Sequence, residues 1–275
     1  MTPATFEFLA SIAKTRSGGV IAREQDYMLR TRLGPLLKRE ALRDLDALAT
    51  RLRSPLGESL AQEVTELLTT NESSFFRDGW PFEHLRRLLR QLHAARPAGH
   101  VIRIWSAACS TGQEAYSIAI LLAELGEADR SFAARRFEIL GTDITGHVLD
   151  RARSGVFTQF EVQRGLPIRT LMTRFTQFEP GRWRILPAVA NPCRFERFNL
   201  LHDARALGRF DVVFCRNVLI YFDVPTKARV LNALARQVAP DGAVYLGSAE
   251  TAIGVTDALV PHPDERGVYA IAARP

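Results

Sequence analysis

The strongest constraint on the fold is a strand, a loop of small residues and a helix that follow one another directly at 101–125. The stretch VIRIWSA has the apolar, β-branched character of a buried strand, and GQEAYSIAILLAEL carries apolar residues at helical spacing. In open parallel sheets, ligands bind at the carboxyl ends of the strands, and small residues there allow a ligand close to the backbone. The stretch therefore predicts a ligand-binding loop between a strand and a helix.

Strands and helices continue to alternate after this unit. The predicted strands are FEILGTD, FDVVFCRN, AVYLGSA and GVYAIAA, and the predicted helices include TGHVLDRARSG and VPTKARVLNALARQVAP. FDVVFCRN is a continuous apolar run, which is typical of a central parallel strand buried on both faces. The pattern predicts an α/β fold with a doubly wound, mostly parallel sheet. Short β-like runs, punctuated by Gly181 and Asn191-Pro192, predict a small β-insertion at about 177–200.

Residues 1–95 have helical periodicity throughout. The last helix of this region begins near Pro81, a favoured first helical residue, and ends before Pro97, because a helix does not easily pass the residue preceding a proline. We therefore expect a helical N-terminal domain at 1–95, a linker at 96–100 and the α/β domain at 101–275.

Composition excludes several classes of protein. No apolar run approaches the roughly 20 residues that span a bilayer, and the N-terminus lacks the basic region of a secretory signal, so we expect a cytoplasmic protein. Cys109, Cys193 and Cys215 are too scattered for a disulfide framework, and the six histidines show no metal-ligand spacing, so we expect no metal. The net charge of +6 suits an acidic partner but is too diffuse to indicate nucleic acid.

The loop after the first strand suggests the class of ligand. It has a single glycine, Gly112, instead of a GxGxxG motif, which disfavours pyrophosphate and a dehydrogenase. Glu114 in the first helical turn attracts a cation such as S-adenosylmethionine, although it can also simply complement the helix dipole. Asp143 ends the second strand, where an acid binds ribose hydroxyls or caps the next helix. The pair together favours nucleoside binding.

Five motifs in this order resemble the chemotaxis-receptor glutamate methyltransferases of the CheR type: NESSFFRD (71–78), RIWSAACSTGQEAYSIAI (103–120), GTDIT (141–145), FNLL (198–201) and FDVVFCRNVLIYFD (210–223). The resemblance spans nearly the whole chain. It implies a class I methyltransferase fold with a helical N-terminal subdomain. The implied reaction uses S-adenosylmethionine to esterify glutamates on the cytoplasmic helical bundle of a receptor, and releases S-adenosylhomocysteine.

The resemblance also implies the residues of the site. In the family the cofactor lies between the helical subdomain and the α/β domain. Matching positions imply contacts from the side of the linker by Asn71, Ser73 and Arg77, from the sheet by Glu114 and Asp143, and on the adenine and ribose side by Asn199, Leu200, Arg216 and Asn217. Ser73 stands where the family often has threonine and keeps the hydroxyl. Gln113 replaces a common glutamate, which leaves Glu114 as the one carboxylate there.

The chemistry needs alignment more than proton transfer. A glutamate has a pKa of about 4.3 and is already ionised at neutral pH, so it needs no general base. Arg77 can hold the substrate carboxylate, or can be a surface residue paired with Asp78 or Glu72. Tyr221 can donate to the substrate, or can be a core aromatic residue with a local hydrogen bond. Both roles stay open, as does a substrate contact by Gln163 and Arg164.

The expected partner is the acidic helical bundle of a methyl-accepting receptor. We expect the chain to be a monomer and to reach the membrane only through this receptor. Six basic residues of the N-terminal helices suit such a partner, or form an ordinary solvated face: Arg23, Arg30, Arg32, Lys38, Arg39 and Arg43. The β-insertion lies where some relatives bind a receptor tail, but their glycine-bearing loop has no clear match here. The alternatives are a nucleic-acid methyltransferase, suggested by a pI of about 9.6, and a non-catalytic module that senses S-adenosylmethionine.

Overall fold

The computed structural model describes residues 1–55 and 57–273, so that Leu56, Arg274 and Pro275 of the predicted domains lie outside it. The chain forms two compact units. The first comprises Met1–Thr70 and Tyr221–Lys227, and the second comprises Asn71–Ile220 and Ala228–Pro275. Among the described residues, no helix is long and apolar enough to cross a membrane.

The first unit is helical, as predicted. Its helices in the described residues are α1 (Pro3–Ser17), α2 (Asp26–Arg39), α3 (Leu45–Leu52) and α4 (Gly57–Leu68). Side-chain caps begin two of them, because Thr2 accepts the Thr5 N–H of α1 and Asp44 accepts the Ala47 N–H of α3. The helices bury a shared apolar core made largely of leucine, which includes Leu9, Leu29, Leu33, Leu48 and Val64.

The chain returns to this unit after most of the second has been formed. The Tyr221 carbonyl accepts the Val20 N–H at 2.8 Å, and Lys14 pairs with Asp223 at 2.8 Å. The first unit is therefore discontinuous in sequence.

The second unit contains ten strands in its described residues: β1 (Ile102–Ala107), β2 (Phe137–Asp143), β3 (Val156–Thr158), β4 (Phe175–Glu179), β5 (Arg182–Ile185), β6 (Cys193–Arg197), β7 (Phe210–Cys215), β8 (Val238–Leu246), β9 (Leu259–Pro261) and β10 (Val268–Ile271). Its helices are α5 (Trp80–Ala95), α6 (Gln113–Ala128), α7 (Arg130–Ala133), α8 (Gly146–Ser154), α9 (Gln159–Gln163), α10 (Ile168–Arg174), α11 (Pro187–Ala190) and α12 (Val224–Gln237). The first residues of α12 belong to the first unit.

Seven strands form the main sheet in the order β6-β2-β1-β7-β8-β10-β9. The first five are parallel, and β10 runs antiparallel to both of its neighbours. This confirms the predicted doubly wound, mostly parallel sheet. The strand order reverses between β1 and β7, so the carboxyl ends of these two strands border the crevice where such sheets bind ligands. Every residue of β7 is buried, as its apolar run predicts.

Helix α5 packs with this sheet. Its residues Phe82, Leu85 and Leu89 belong to the same buried cluster as the core of the sheet. The division between the units therefore falls after Thr70, whereas helical periodicity continues to residue 95. The expected linker at 96–100 is also tied to the sheet, because Arg96 pairs with Asp211 at 2.8 Å.

The predicted β-insertion has different members from those expected at 177–200. A small antiparallel sheet has the order β3-β5-β4 and so draws in a strand from outside that range. Strand β6 lies inside the range but pairs in parallel with β2 in the main sheet. Short β-like runs do not reveal their partners, because pairing depends on contacts far apart in sequence. Phe157 of β3 and Phe175 of β4 pack edge to face in the core.

Candidate active site

The loop after β1 lies at the carboxyl edge of the sheet in an uncommon backbone conformation. Ala108 and Ser110 have φ values of 59° and 51°, and Gly112 has 93°. A Cβ on Gly112 would approach the Ala152 Cβ to 3.0 Å, so the position favours glycine sterically as well. Left-handed conformations at residues other than glycine are uncommon and concentrate at ligand-binding sites.

Asp143, at the end of β2, holds this loop in place. Its carboxylate accepts the Ser110 N–H at 2.9 Å and the Thr145 N–H at 3.0 Å. Thr145 stands at the N-cap position of α8. Burial raises the pKa of Asp143, although the hydrogen bonds oppose this shift. The carboxylate thus supports two turns at the predicted ribose position, and ribose binding remains a prediction.

Glu114, in the first turn of α6, belongs to a buried ionic cluster. Its carboxylate accepts the Ser106 hydroxyl at 2.7 Å and Nη1 of Arg216 at 3.1 Å. Nη2 of Arg216 also donates to Asp78 at 2.7 Å and to the Arg77 carbonyl at 2.9 Å. Burial raises the pKa of Glu114, while Arg216 and Ser106 lower it. Arg216 therefore joins the loops after β1 and β7 to the segment that carries Arg77.

Arg216 keeps one donor free of protein partners. Its side chain is 1 % exposed, and Nε is a buried polar atom without a hydrogen-bond partner in the described residues. An unsatisfied buried donor costs about 1–3 kcal/mol, so such groups call for a physical reason. An acceptor on a bound ligand would satisfy it.

The NESSFFRD segment is anchored within the second unit by its aromatic residues. Phe75 is fully buried and packs edge to face against Phe157 at 4.9 Å between ring centroids. The Phe76 N–H donates to the Ser117 hydroxyl of α6 at 2.9 Å. At the start of the segment, the Asn71 carbonyl accepts the Ser110 hydroxyl at 2.8 Å. Asn71 therefore contacts the loop after β1, and Ser73 lies half-buried two residues further on.

Arg77 has a constrained backbone and an unpaired guanidinium. Its neighbours Phe76 and Asp78 have φ values of 46° and 68°. Asp78 pairs with Arg216, and Glu72 pairs with Arg164 at 2.8 Å. In the described part of the chain, neither of the two carboxylates considered for it, nor any other, forms an ion pair with Arg77.

Asn199 and Leu200 follow β6 near Asp143. The Phe198 N–H donates to the Asp143 carbonyl at 3.0 Å, which places this turn beside the end of β2. The Asn199 side chain accepts the Leu201 N–H at 3.0 Å, and Leu200 is half-buried. Both residues therefore lie at the same edge of the sheet as the loop after β1.

Asn217, after β7, depends on a residue that sequence reasoning missed. It has a φ of 59°, and its N–H donates to Glu250 at 2.7 Å. Glu250 is buried behind the turn that follows β8. The sequence does place Glu250 shortly after the predicted strand AVYLGSA. No motif of fixed spacing connects it to Asn217, so its role could not be predicted.

The remaining predicted residues have other surroundings. Tyr221 belongs to the first unit and is 38 % exposed, so it is not a core aromatic residue, and its substrate contact stays a prediction. Gln163 is exposed, and Arg164 is engaged by Glu72. Cys109 and Cys215 are buried, and burial raises the pKa of both thiols. The described residues contain no group of three or more metal-ligating side chains.

Comparison with known proteins identifies sequence relatives of this arrangement. The family model described as CheR methyltransferase, SAM binding domain, matches residues 71–265. Chemotaxis protein methyltransferase Cher2 of Pseudomonas putida is 33% identical over 252 residues, covering 92% of both chains. Chemotaxis protein methyltransferase 1 of Pseudomonas aeruginosa is 35% identical over 255 residues, again covering 92% of both. The chemotaxis protein methyltransferase of Escherichia coli is 34% identical over 254 residues, covering 91% of this chain and 85% of the relative.

Proposed function

Because the chain belongs to the CheR methyltransferase family, we propose that it esterifies glutamate side chains on the cytoplasmic helical bundle of chemoreceptors. It is an S-adenosylmethionine-dependent methyltransferase of chemotaxis. The finer assignment is that the acceptor is a receptor glutamate and that the residues described above form the site.

The charges and the free donor at the sheet edge fit this cofactor. Glu114, Asp78 and Asp143 supply carboxylates against the buried cation Arg216, so the edge has a surplus of negative charge. Such an edge favours a cofactor that carries an ammonium and a sulfonium group, while the unsatisfied Arg216 Nε suits its carboxylate. When bound, S-adenosylmethionine supplies an electrophilic methyl group on positively charged sulfur.

The chain's own residues then have two tasks. Eight residues hold the cofactor: Asn71, Ser73, Glu114, Asp143, Asn199, Leu200, Arg216 and Asn217. Arg77 orients the acceptor carboxylate, because its guanidinium has no ion pair in the described residues and its backbone is held by Arg216. Tyr221 donates to the acceptor. Since the acceptor is already ionised, catalysis consists of alignment and exclusion of water, and alignment alone is worth up to about 7–11 kcal/mol.

The single observation that carries this proposal is that the Arg77 guanidinium has no ion pair among the described residues, while its backbone carbonyl is held by Arg216 of the Glu114–Arg216–Asp78 cluster. Its direct test is incubation of the chain with methyl-labelled S-adenosylmethionine and receptor-rich membranes. We expect label on the receptor that alkali releases as methanol, as an ester requires. Label that resists alkali, or that enters RNA, would contradict a glutamate ester. A chain that binds the cofactor but transfers no label to any receptor would be a sensing module instead.

The acidic receptor bundle also accounts for where the chain acts. We infer that the protein works as a monomer in the cytoplasm and reaches the membrane through the receptor. Helix α2 supports the receptor contact in this inference, because Lys38 is exposed, has no ion pair among the described residues and so is available to an acidic partner.

A further inference from the structure

Glu250 is surrounded by backbone donors from two turns. One carboxylate oxygen accepts N–H groups of Asn217 at 2.7 Å and Gly247 at 2.6 Å. The other accepts those of Val218 at 2.9 Å, Leu219 at 2.7 Å and Ile220 at 3.3 Å. The residue is only 9% exposed. A carboxylate is the group that can accept at every one of these positions at once.

This arrangement fixes the turn after β7 in one conformation. Four consecutive N–H groups, from Asn217 to Ile220, point to the same side chain, which holds Asn217 at a φ of 59°. Asparagine tolerates that conformation better than most residues, but the chain does not favour it without support. Gly247 allows the close approach, because a Cβ there would meet Glu250 Oε2 at 2.7 Å and Asn217 Nδ2 at 2.9 Å.

The fixed turn carries two residues assigned above to the cofactor. Arg216 immediately precedes the first of the bound N–H groups, and its unpaired Nε depends on the course of the backbone there. Asn217 presents its side chain from the left-handed position that Glu250 maintains. Glu250 itself directs both carboxylate oxygens at backbone and so has no role in binding a ligand directly.

We propose that Glu250 is a positioning residue for the cofactor, which holds the 216–220 turn, and with it Arg216 and Asn217, in the conformation that binds S-adenosylmethionine. This inference rests on the proposed function. It differs from a purely structural role in one respect: loss of the carboxylate changes cofactor affinity beyond what loss of stability explains.

The decisive variant is Glu250→Gln, which keeps the size of the side chain. An amide has one accepting oxygen, so its NH2 group faces N–H donors on the other side and two or three of the five contacts are lost. We expect the KM for S-adenosylmethionine and the Kd for S-adenosylhomocysteine to rise about tenfold, with kcat at saturating cofactor within about twofold of the parent, because the lost interaction serves binding. Calorimetry and initial rates give these values.

The matched control is Asp211→Asn. Asp211 is also a buried acid that accepts a backbone N–H, from Arg103 at 2.9 Å, but it lies at the opposite end of β7 from Arg216. We expect this variant to lower the melting temperature and to leave both cofactor constants unchanged. If Glu250→Gln moves the melting temperature alone, as the control does, the positioning role is refuted.

Gly247→Ala tests the same turn without removing a charge, and it decides the matter if Glu250→Gln does not fold. The new methyl group displaces Glu250 or Asn217, so we expect the same rise in KM for the cofactor. An unchanged KM in a folded Gly247→Ala chain would overturn the proposal. These outcomes differ from a failure of the proposed function. In that case the parent chain itself would not bind S-adenosylhomocysteine.

Discussion

Two arginines near the loop after β1 have opposite surroundings. Arg216 is buried and bonded to Glu114, Asp78 and the Arg77 carbonyl, so it holds the site together. Arg77 has its carbonyl fixed by that contact, while its guanidinium has no ion pair in the described part of the chain. A paired arginine stabilises the site, whereas an unpaired one beside it is available for a substrate carboxylate.

Replacing Arg77 by alanine therefore removes orientation of the acceptor. We expect kcat/KM for the receptor to fall about a hundredfold, the size of effect that misalignment of reacting groups produces. The affinity for S-adenosylhomocysteine changes far less, by about twofold or under, which calorimetry measures. Arg90→Ala removes an exposed arginine of α5 and is the control. The reverse pattern, with lost cofactor affinity and retained turnover, would assign Arg77 to the cofactor alone.

The raised pKa of Glu114 makes a second residue-scale prediction. Burial raises this pKa above its ordinary value of 4.5, so between 4.5 and the raised value the folded chain keeps a proton that the unfolded chain has lost. The contribution of Glu114 to the free energy of unfolding of the cofactor-free chain therefore falls as the pH rises through this window. Asp143 acts in the same direction, because burial raises its pKa too. Denaturant titrations of both chains should show that the free energy of unfolding of the parent, minus that of Glu114→Gln, falls as the pH rises through this window.

Cofactor binding should respond to the same ionisation. S-adenosylmethionine is a cation, so its affinity falls as the pH drops and Glu114 takes up a proton. Calorimetry across this range should show the fall in the parent chain and a flatter profile in Glu114→Gln. Glu138→Gln is the control, since Glu138 pairs with Arg103 near the opposite end of β2. Profiles of Glu114→Gln and the parent that superimpose would exclude this role for Glu114.

At the scale of elements, the basic residues of α2 divide into two groups. Arg32 donates to the Leu68 and Thr69 carbonyls at 2.8 and 2.7 Å, where α4 ends and its carbonyls lack helical partners. Lys38 is exposed, and the one ion pair that Arg30 forms with a described residue is to Asp26, one turn away on the same helix. The first residue stabilises the unit, and the other two are available for an acidic partner.

Charge reversal should separate these groups. Arg30→Glu with Lys38→Glu is expected to slow receptor methylation about tenfold at low salt, less at high salt, with an unchanged melting temperature. Arg32→Ala is expected to cost about 1.5–3 kcal/mol of stability, the range for hydrogen bonds from a charged group. Arg130→Glu, an exposed reversal on α7, is the control for net charge. Receptor methylation that is insensitive to the double reversal would return α2 to an ordinary solvated face.

Local patterns predicted elements better than they predicted partnerships. The apolar run of β7 and the strand–loop–helix around Gly112 were predictable, because periodicity and small residues report local structure. Helix α5 was assigned by periodicity to the helical region, since Leu85 and Leu89 look the same whichever core they enter. Strand β6 was likewise placed in the insertion, although it extends the main sheet. Such assignments depend on packing between distant segments.

In the candidate site too, local patterns were predictable and contacts between distant residues were not. Glu114, Asp143 and Arg216 could be proposed because each follows a strand or begins a helix. Glu250 could not, because its bond to the Asn217 N–H joins residues 33 positions apart and no spacing announces it. The sequence also could not show that Arg77 lacks an ion pair among the described residues. That depends on Asp78 and Glu72, which pair with Arg216 and Arg164 instead.

At the scale of the whole molecule, the chain has a net charge of +6, but many of its basic side chains form ion pairs. Arg96 pairs with Asp211, Arg103 with Glu138 and Arg174 with Glu127, so much of the basic character is neutralised locally. Binding to nucleic acid depends on basic groups that are gathered along one face and free to displace counterions. The surplus charge therefore does not favour the nucleic-acid methyltransferase suggested by the basic pI.

We accordingly expect the chain to bind duplex DNA and single-stranded RNA no more tightly than about 10⁻⁶ M at physiological salt, the range of non-specific binding. Fluorescence anisotropy over a salt series measures both affinity and the number of displaced counterions. With labelled S-adenosylmethionine, RNA at concentrations below this range should leave receptor methylation unchanged and should itself take up no label, because little of the protein is then bound to RNA. Nanomolar binding with a steep salt slope, together with alkali-stable label on the RNA, would reverse the assignment of the acceptor while leaving the cofactor site intact.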